Sequence, residues 1–253
     1  MAVARPSDAY ARSAARVRNF DLVGGRKYSG ADTATPATHL LSNGTYSVML
    51  TTAGAGYSRC GDIAITRWRE DPTCDDWGSF IYLRDIASGR IWSAGMQPCG
   101  VGADDYEVSF IEDRAAIVRR DGTLTTTLEV LVPSGDNAEV RQVSIVNDGS
   151  AARDIEVTSF AELVLTTQGA DVAHTAFAKL SVQTEFLSNI ETIIATRRRR
   201  SPGEPEIWAA HLAVVHGETI SPIEVETDRM RFLGRGNSAR NADAVNGNTL
   251  SNT

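Results

Sequence analysis

From Leu40 onward the sequence is a long succession of short apolar runs separated by turn signals, and this pattern limits the fold more than any other feature. Most runs are rich in Val, Ile, Thr and aromatic residues, and several alternate apolar with polar positions, as half-buried β-strands do. The turns recur at close to the spacing of about 8–12 residues that is typical of a β-sandwich. The sequence therefore predicts an all-β fold, a large antiparallel sandwich of two sheets. The runs include YSVMLTT, DIAITRWR, SFIYLRDI, YEVSFIE, TLTTTLEVLV, IETIIATR and IWAAHLAVV, and the turns include ASGR, RDGT, PSGDN and NDGS.

The two ends of the chain lack this pattern. Residues 1–38 are predicted to be a lead-in segment, with a short helix over 7–18 and then a connector rich in Gly, Thr and Pro. Residues 39–228 are the predicted sandwich, and no helix of ordinary length is expected within them. The polar residues 229–253, rich in Gly and Asn, are predicted to be a truncated linker with little to bury.

Composition excludes several classes of protein. The formal net charge of −7 argues against a nucleic-acid or anionic-membrane partner. Cys60, Cys74 and Cys99 are odd in number and form no CxxC pair, so we predict free thiols in a reducing compartment and no metal site. The N-terminus does not resemble a signal peptide, and no run approaches the about 18 apolar residues that span a bilayer. These features predict a soluble protein.

The Gly-rich stretch AGAGYSRCGD at 53–62 could cradle a phosphate or simply turn one strand into the next. A phosphate loop opens a helix whose N-terminus faces the phosphate, but here a strand-like run comes next. Gly54 and Gly56 are therefore expected to turn the backbone sharply. That turn would expose Tyr57, Ser58 and Arg59 on a loop tip at a sheet edge. On spacing alone, a purely structural hairpin is favoured over a binding loop.

The segment TRWREDPTCDDWG at 66–78 concentrates the residue types that recognise sugars. An indole face can stack on a pyranose ring while charged groups bind its hydroxyls. The candidates for such contacts are Arg67, Arg69, Asp71, Asp75 and Trp77. The same composition also fits a solvated loop whose two Trp side chains fill the edge of the sandwich, and Trp side chains are usually buried for packing.

No self-sufficient catalytic centre is visible in the sequence. The adjacent carboxylates Asp75–Asp76 and Asp104–Asp105 cannot face each other across a substrate, as glycoside hydrolysis requires. The four His residues lack metal-ligand spacing, and Ser58 is not in a G-x-S-x-G turn. The basic run RRRRSPGEP fits a phosphate-binding patch and an exposed turn equally well. No catalytic residue, metal ligand or cofactor is assigned.

An ordered set of segments over about residues 39–240 resembles a known family. The first is LLSNGTYSVMLTTAGAGYSRCGDIAITRWREDPTCDDWGSFIYLRD, followed by IWSAGMQP, VLVPSGDNAEVRQVSIVND, HTAFAKLSVQTEF, RRRRSPGEPEIWAAH and FLGRG. Together they resemble the N-terminal super-β-sandwich domain of glycoside hydrolase family 94, formerly glycosyltransferase family 36. Within that family they most resemble the corresponding region of cyclic β-1,2-glucan synthases. Cys60 stands where the family pattern leads us to expect a bulky aromatic residue.

The resemblance implies a galactose-mutarotase-like sandwich joined to an (α/α)₆ barrel that carries the general acid and most phosphate and sugar contacts. Inorganic phosphate is a co-substrate of such enzymes, not a cofactor. The stretch from Gly54 to Arg59 would then reach the rim of the barrel's active site, often across a homodimer, and place Tyr57, Ser58 and Arg59 against sugar.

The sequence contains no barrel, so the resemblance predicts a non-catalytic carbohydrate-binding or structural domain of a β-glucan-processing phosphorylase or synthase. Its expected partners are a β-glucan or other oligosaccharide and a barrel supplied in cis or in trans, in the cytoplasm or at the cytoplasmic side of the inner membrane. Two alternatives stay open. One is a mutarotase-like epimerase that uses His and Glu on the sandwich, and the other is a purely structural module that docks a separate barrel.

Overall fold

The computed structural model describes residues 25–32, 37–70, 74–174, 179–199 and 201–253. The helix predicted over 7–18 lies outside these residues. In the described part, nearly all regular structure is β-strand. The strands are β1 (Arg26–Ser29), β2 (Thr38–Ser42), β3 (Tyr46–Thr51), β4 (Gly56–Cys60), β5 (Ile63–Thr66), β6 (Ser79–Asp85), β7 (Ile91–Ser93), β8 (Asp105–Ile111), β9 (Arg114–Asp121), β10 (Leu124–Leu131), β11 (Val140–Asn147), β12 (Ile155–Ala161), β13 (Leu163–Thr167), β14 (Val182–Leu187), β15 (Thr192–Arg197) and β16 (Trp208–Leu212).

The helical elements whose bounds the structure gives are all short. They are helix α1 (Gln168–Ala173), helix α2 (Arg229–Leu233) and two 3₁₀ turns at Ala239–Asn241 and Asp243–Asn246. None of these elements is long and apolar enough to cross a membrane. The expectation of no ordinary helix within the sandwich therefore holds for the part of the chain that the structure describes.

Every strand pairing is antiparallel, which confirms the all-β antiparallel class. The strands divide among four hydrogen-bonded sheets instead of two: β1-β8-β9-β10-β11, β13-β5-β4-β3-β2, β12-β6-β7 and β14-β15-β16. The expected connector at 24–38 also contributes strands, because Arg26 of β1 pairs with Phe110 of β8. The predicted sandwich thus begins earlier than residue 39.

The main hydrophobic core lies between the two five-stranded sheets and includes one face of β6 and β7. Alternate side chains of β3 and β8 point into it, as their period-two pattern predicts. Its members are Leu41, Tyr46, Val48, Leu50, Ile81, Leu83, Trp92, Ala94, Tyr106, Val108, Phe110, Ala115, Ile117, Leu124, Leu128 and Val130.

A second core covers the other face of β6 and explains why its sequence SFIYLRD is almost continuously apolar. Phe80 and Tyr82 project away from the main core and pack against Phe232, Leu233 and Val245. A strand buried on both faces loses the alternation of a half-buried one. The prediction that residues 229–253 have little to bury is wrong, because this segment is the cover of the second core.

The Gly-rich stretch is part of the scaffold. Residues 54–56 are buried, and the Ala53 carbonyl accepts hydrogen bonds of 3.0 Å from the backbone N–H groups of both Met96 and Gln97. Gly56 has φ +150°, and a Cβ atom there would lie 1.8 Å from the Met49 carbonyl oxygen. The backbone of Gly56 therefore packs directly on β3, where no other residue fits.

All three cysteines lie in the described residues, and no disulfide joins them to one another. Cys60 and Cys99 are half-buried, and Cys74 is exposed. The described residues also contain no group of three or more His, Cys, Asp or Glu side chains arranged to hold a metal ion.

Gly56→Ala is expected to lower the free energy of unfolding by about 3 kcal/mol or more, because the new methyl group collides with backbone that cannot move independently. The matched control is Gly61→Ala. Gly61 also has a positive φ, +54°, but an added Cβ atom meets nothing within 4 Å. That control should lose only about 1–2 kcal/mol from left-handed backbone strain. Urea unfolding followed by tryptophan fluorescence measures both, and equal losses would contradict the close packing.

Candidate functional site

Tyr57, Ser58 and Arg59 lie within strand β4 and not on a loop tip. The strand continues through them because β4 pairs with β3, with Tyr57 opposite Met49. Ser58 is only 1% exposed, and its Oγ atom donates a 2.8 Å hydrogen bond to Glu139 Oε2. Ser58 therefore cannot contact sugar as predicted. Tyr57 is half-buried and Arg59 is exposed, so these two side chains still reach the surface.

A buried network of arginines and carboxylates lies beside β4. The Arg67 guanidinium donates to both oxygens of Asp171, with Nε–Oδ2 3.1 Å and Nη2–Oδ1 2.7 Å. Its remaining nitrogen donates to Glu162 Oε2 at 2.7 Å. Arg69 Nη2 donates to Asp171 Oδ2 at 2.5 Å. Arg67 and Asp171 are 2% and 1% exposed, so their charges are satisfied by each other and not by water.

Glu162 extends this network to the C-terminal segment. Its Oε1 accepts a 2.6 Å hydrogen bond from Nε of Arg229, the first residue of α2. Lys179 Nζ lies 3.6 Å from Glu162 Oε2. The cover of the second core is thus bound to the same carboxylate that holds Arg67.

An irregular strand brings Asp171 to Arg67. The register between β13 and β5 shifts between Leu163 and Thr166, and Leu165 has φ +53° within the strand. Such a bulge bends a strand and redirects the residues after it. Helix α1 then begins at once, with the Thr167 hydroxyl accepting a 3.4 Å hydrogen bond from the Ala170 N–H. Asp171 is the buried residue of this helix.

Aromatic side chains border the exposed part of the network. The Arg69 guanidinium carbon lies 5.9 Å from the centre of the Trp77 ring, a cation–π contact. Tyr57 and Trp68 meet edge to face, with ring centres 5.5 Å apart. Trp68 and Trp77 are both half-buried, so neither indole is fully enclosed by the edge of the sandwich. We call Tyr57, Trp68, Arg69 and Trp77 the aromatic rim.

Of the two remaining candidates, only Asp75 lies in the described residues. Asp75 accepts a 2.6 Å hydrogen bond from the Thr51 hydroxyl and so ties its loop to β3. Asp71 lies outside the described residues. Gly54 and Gly56 serve the scaffold, since the backbone N–H of Gly56 donates to the Trp77 carbonyl at 2.8 Å. That bond fixes the rim tryptophan to the Gly-rich stretch.

The ion pairs determine the protonation of the network. Burial by itself would raise the pKa of Asp171, but the hydrogen bonds and positive charges of Arg67 and Arg69 outweigh it and hold that pKa below its ordinary value of 3.8. Burial likewise opposes the charge of Arg67, yet Asp171 and Glu162 raise the pKa of its guanidinium. The Arg67–Asp171 pair is therefore ionised throughout the physiological range.

Sequence reasoning missed Glu162 and Asp171, which lie 95 and 104 positions from Arg67. No local spacing connects residues so far apart. One signal was present for Glu162, a carboxylate inside the strand-like run RDIEVTSFAELVL. A charged residue between two apolar strands must find a partner when the strands are buried.

Comparisons with known proteins agree on the family. The model of the glycosyl hydrolase 94 supersandwich domain matches residues 24–253. Cyclic beta-(1,2)-glucan synthase NdvB of Rhizobium meliloti (strain 1021) is 43% identical over 217 residues, which are 85% of this chain but 8% of the synthase.

Two phosphorylases are more distantly similar. N,N'-diacetylchitobiose phosphorylase of Vibrio furnissii is 26% identical over 164 residues, which are 63% of this chain and 20% of that protein. Solabiose phosphorylase of Paenibacillus borealis is 23% identical over 155 residues, 61% of this chain and 19% of that protein. The chain thus spans a fifth or less of the length of these relatives.

Asp171→Asn is expected to lower the free energy of unfolding at neutral pH by about 3–5 kcal/mol, because Arg67 keeps its buried charge without a full counter-charge. Since the folded pKa of Asp171 lies below 3.8, its stabilisation is present above about pH 4 and is lost as the pH falls through the lowered pKa. The difference between wild type and variant should therefore shrink in acid. Urea unfolding between pH 7 and about pH 2.5 measures it.

Asp113→Asn is the control for this experiment, because Asp113 pairs with Arg114 at the surface with 67% of its side chain exposed. It should unfold close to wild type at neutral pH. A loss at Asp171 no larger than the loss at Asp113 would contradict the buried network.

Proposed function

This chain belongs to the glycosyl hydrolase 94 supersandwich family, and from that premise we propose that it is the non-catalytic, sugar-facing domain of a β-glucan-processing enzyme. The family places it among the domains of carbohydrate-processing enzymes. We further propose that its sugar-contacting surface is the aromatic rim of Tyr57, Trp68, Arg69 and Trp77.

The observation that supports this surface most is the Arg69–Trp77 contact above the buried Arg67–Asp171 pair. A half-buried indole offers a flat apolar face to a pyranose. The guanidinium places a positive charge beside that face while it donates to Asp171 and to the Trp68 carbonyl. Asp171 holds the Arg69 side chain at 2.5 Å, and the Gly56 N–H holds the backbone of Trp77 at 2.8 Å. Side chains that are fixed before the ligand arrives lose less conformational entropy on binding.

The same network is poorly suited to acid catalysis. A general acid in glycoside cleavage needs a carboxyl group whose pKa is raised. The pKa of Asp171 is lowered, and Glu162 accepts hydrogen bonds from both Arg67 and Arg229. We therefore propose that the acid and the phosphate contacts come from an (α/α)₆ barrel, in cis or in trans, with inorganic phosphate as co-substrate and no cofactor bound by this domain. The proposed site of action is the cytoplasm or the cytoplasmic side of the inner membrane. The family resemblance also implies that this loop often reaches the barrel across a homodimer.

The epimerase alternative has less support. It needs a His and a Glu whose side chains face a common sugar. Nε2 of His211 lies 2.8 Å from Ser159 Oγ, and Glu139 accepts a 2.8 Å hydrogen bond from Ser58. Both groups are engaged by the protein. A polarimetric mutarotation assay on glucose tests this alternative, since acceleration above the uncatalysed rate would favour it. The purely structural docking module would show no sugar binding at all.

Linear β-1,2-gluco-oligosaccharides are expected to bind the chain weakly, with a Kd on the order of millimolar, because a surface without an opposing wall buries little sugar. Trp77→Ala should weaken binding at least about fivefold, because the variant loses the aromatic face on which the sugar ring stacks. Trp208→Ala is the matched control, because Trp208 is 59% exposed and lies on β16, outside the rim. Titration followed by calorimetry or ligand-observed NMR measures both. Equal effects of the two changes would contradict the assignment of the rim.

The purified chain alone should release no glucose 1-phosphate and no glucose from these oligosaccharides, since positioned acid and nucleophile are both needed within one site. Adding a family 94 barrel should strengthen binding to the rim. Turnover that survives purification and disappears on Asp171→Asn or Glu139→Gln, while the variant stays folded, would overturn the non-catalytic assignment.

A further inference from the structure

Strand β16 is an edge strand with an unusual surface. In the sheet β14-β15-β16 it pairs with β15 on one side, and no described strand pairs with its other side. An edge strand presents a row of N–H and C=O groups that can pair with another chain. Proteins commonly protect such edges with charged residues, prolines or bulges. The sequence of β16 shows whether this edge is protected in the same way.

The sequence around β16 contains none of these protections. Residues 207–217, IWAAHLAVVHG, hold no Asp, Glu, Lys, Arg or Pro in a chain of net charge −7. Large apolar side chains are exposed along the same stretch: Trp208 by 59%, Leu212 by 58%, Val214 by 69% and Val215 by 57%. The stretch is thus an uncharged, apolar edge of the described fold, which marks an interaction site.

We propose that β16 pairs with β16 of a second copy of this chain, antiparallel and centred on Ala210. In that register Trp208 of one copy lies opposite Leu212 of the other, and Ala210 lies opposite Ala210. Side chains at 208, 210 and 212 share one face of the strand, all three exposed. The interface therefore contains two Trp208–Leu212 contacts, one on each side of the two-fold axis.

Self-pairing fits the chemistry of the edge better than pairing with an unrelated strand would. A two-fold interface requires a patch that is complementary to itself, and a stretch with an apolar residue on each side of a small central one meets that requirement. The flanking charge also fits, because Glu206 of one copy falls opposite Val214 of the other and no two carboxylates meet. Cross-strand aromatic–aliphatic pairs of this kind stabilise antiparallel pairing.

This interface differs from the loop-to-barrel dimer that the family resemblance implies, because it lies on β16 and needs no barrel. It is also independent of the aromatic rim, since none of its residues belongs to the rim or the buried network. A chain that does not dimerise through β16 could therefore still bind sugar at the rim, and a chain that binds no sugar could still dimerise.

Sedimentation velocity of the 253-residue chain from low to high micromolar concentration tests the proposal. The wild type should shift from monomer to dimer. Ala210→Lys and Ala210→Glu each place like charges directly opposite across the two-fold axis, and each should weaken dimerisation about tenfold or more. An equimolar mixture of the two variants should dimerise again, because Lys then faces Glu. Circular dichroism and urea unfolding establish that both variants are folded.

Ile220→Lys is the control, since Ile220 is 77% exposed but lies beyond the strand and should leave dimerisation unchanged. A wild type that stays monomeric at every concentration overturns the proposal. So does a dimer that both Ala210 variants leave intact, or a mixture of the two that does not associate, since either result means that the copies do not meet at Ala210.

Discussion

The arrangement of the sheets depends on the hydrogen bonds and the ion pair made by the buried guanidinium of Arg119. Its side chain is fully buried, and it donates to both carboxylate oxygens of Asp121 and to the carbonyls of Ser93, Gly95 and Val101. All five N–H donors of the guanidinium are used. A buried charge is tolerated only when it is paired and hydrogen-bonded, so the loop that supplies these carbonyls has a fixed conformation. That loop joins β7 to β8 and thereby connects two sheets.

A chain of backbone hydrogen bonds connects the loop that Arg119 fixes to the aromatic rim. The fixed loop donates N–H groups from residues 96 and 97 to the Ala53 carbonyl, and the Gly-rich stretch then donates from Gly56 to the Trp77 carbonyl. From the other side, the buried network fixes Arg69 through Asp171. Two separate sets of hydrogen bonds thus hold the two residues of the Arg69–Trp77 contact. A rim held in this way would present one conformation to the sugar that we propose it binds.

Local pattern made the strands predictable, and long-range pairing made the site unpredictable. The runs that form β3 and β8 were recognised as strands, and alternate side chains of both strands are buried. The Gly-rich stretch was expected to be a loop between two strands, but it contains β4, which begins at Gly56 and continues through the residues expected on a loop tip. The C-terminal cover was missed because its small apolar residues, such as Ala244, are dispersed among polar ones. Their burial is visible only in the folded chain, where they pack against the second face of β6. Asp171 was missed because only the folded chain brings it to Arg67.

The four tryptophans of the chain provide the most direct measurement of the central claim that sugar meets the rim. Their indole N–H signals can be followed separately in an ¹⁵N-labelled sample while linear β-1,2-gluco-oligosaccharide is added. If sugar binds the rim, the Trp68 and Trp77 signals should shift saturably, and the Trp92 signal in the core and the Trp208 signal on β16 should not move. Shifts confined to Trp208, or no saturable shift of any indole up to high millimolar sugar, would contradict it.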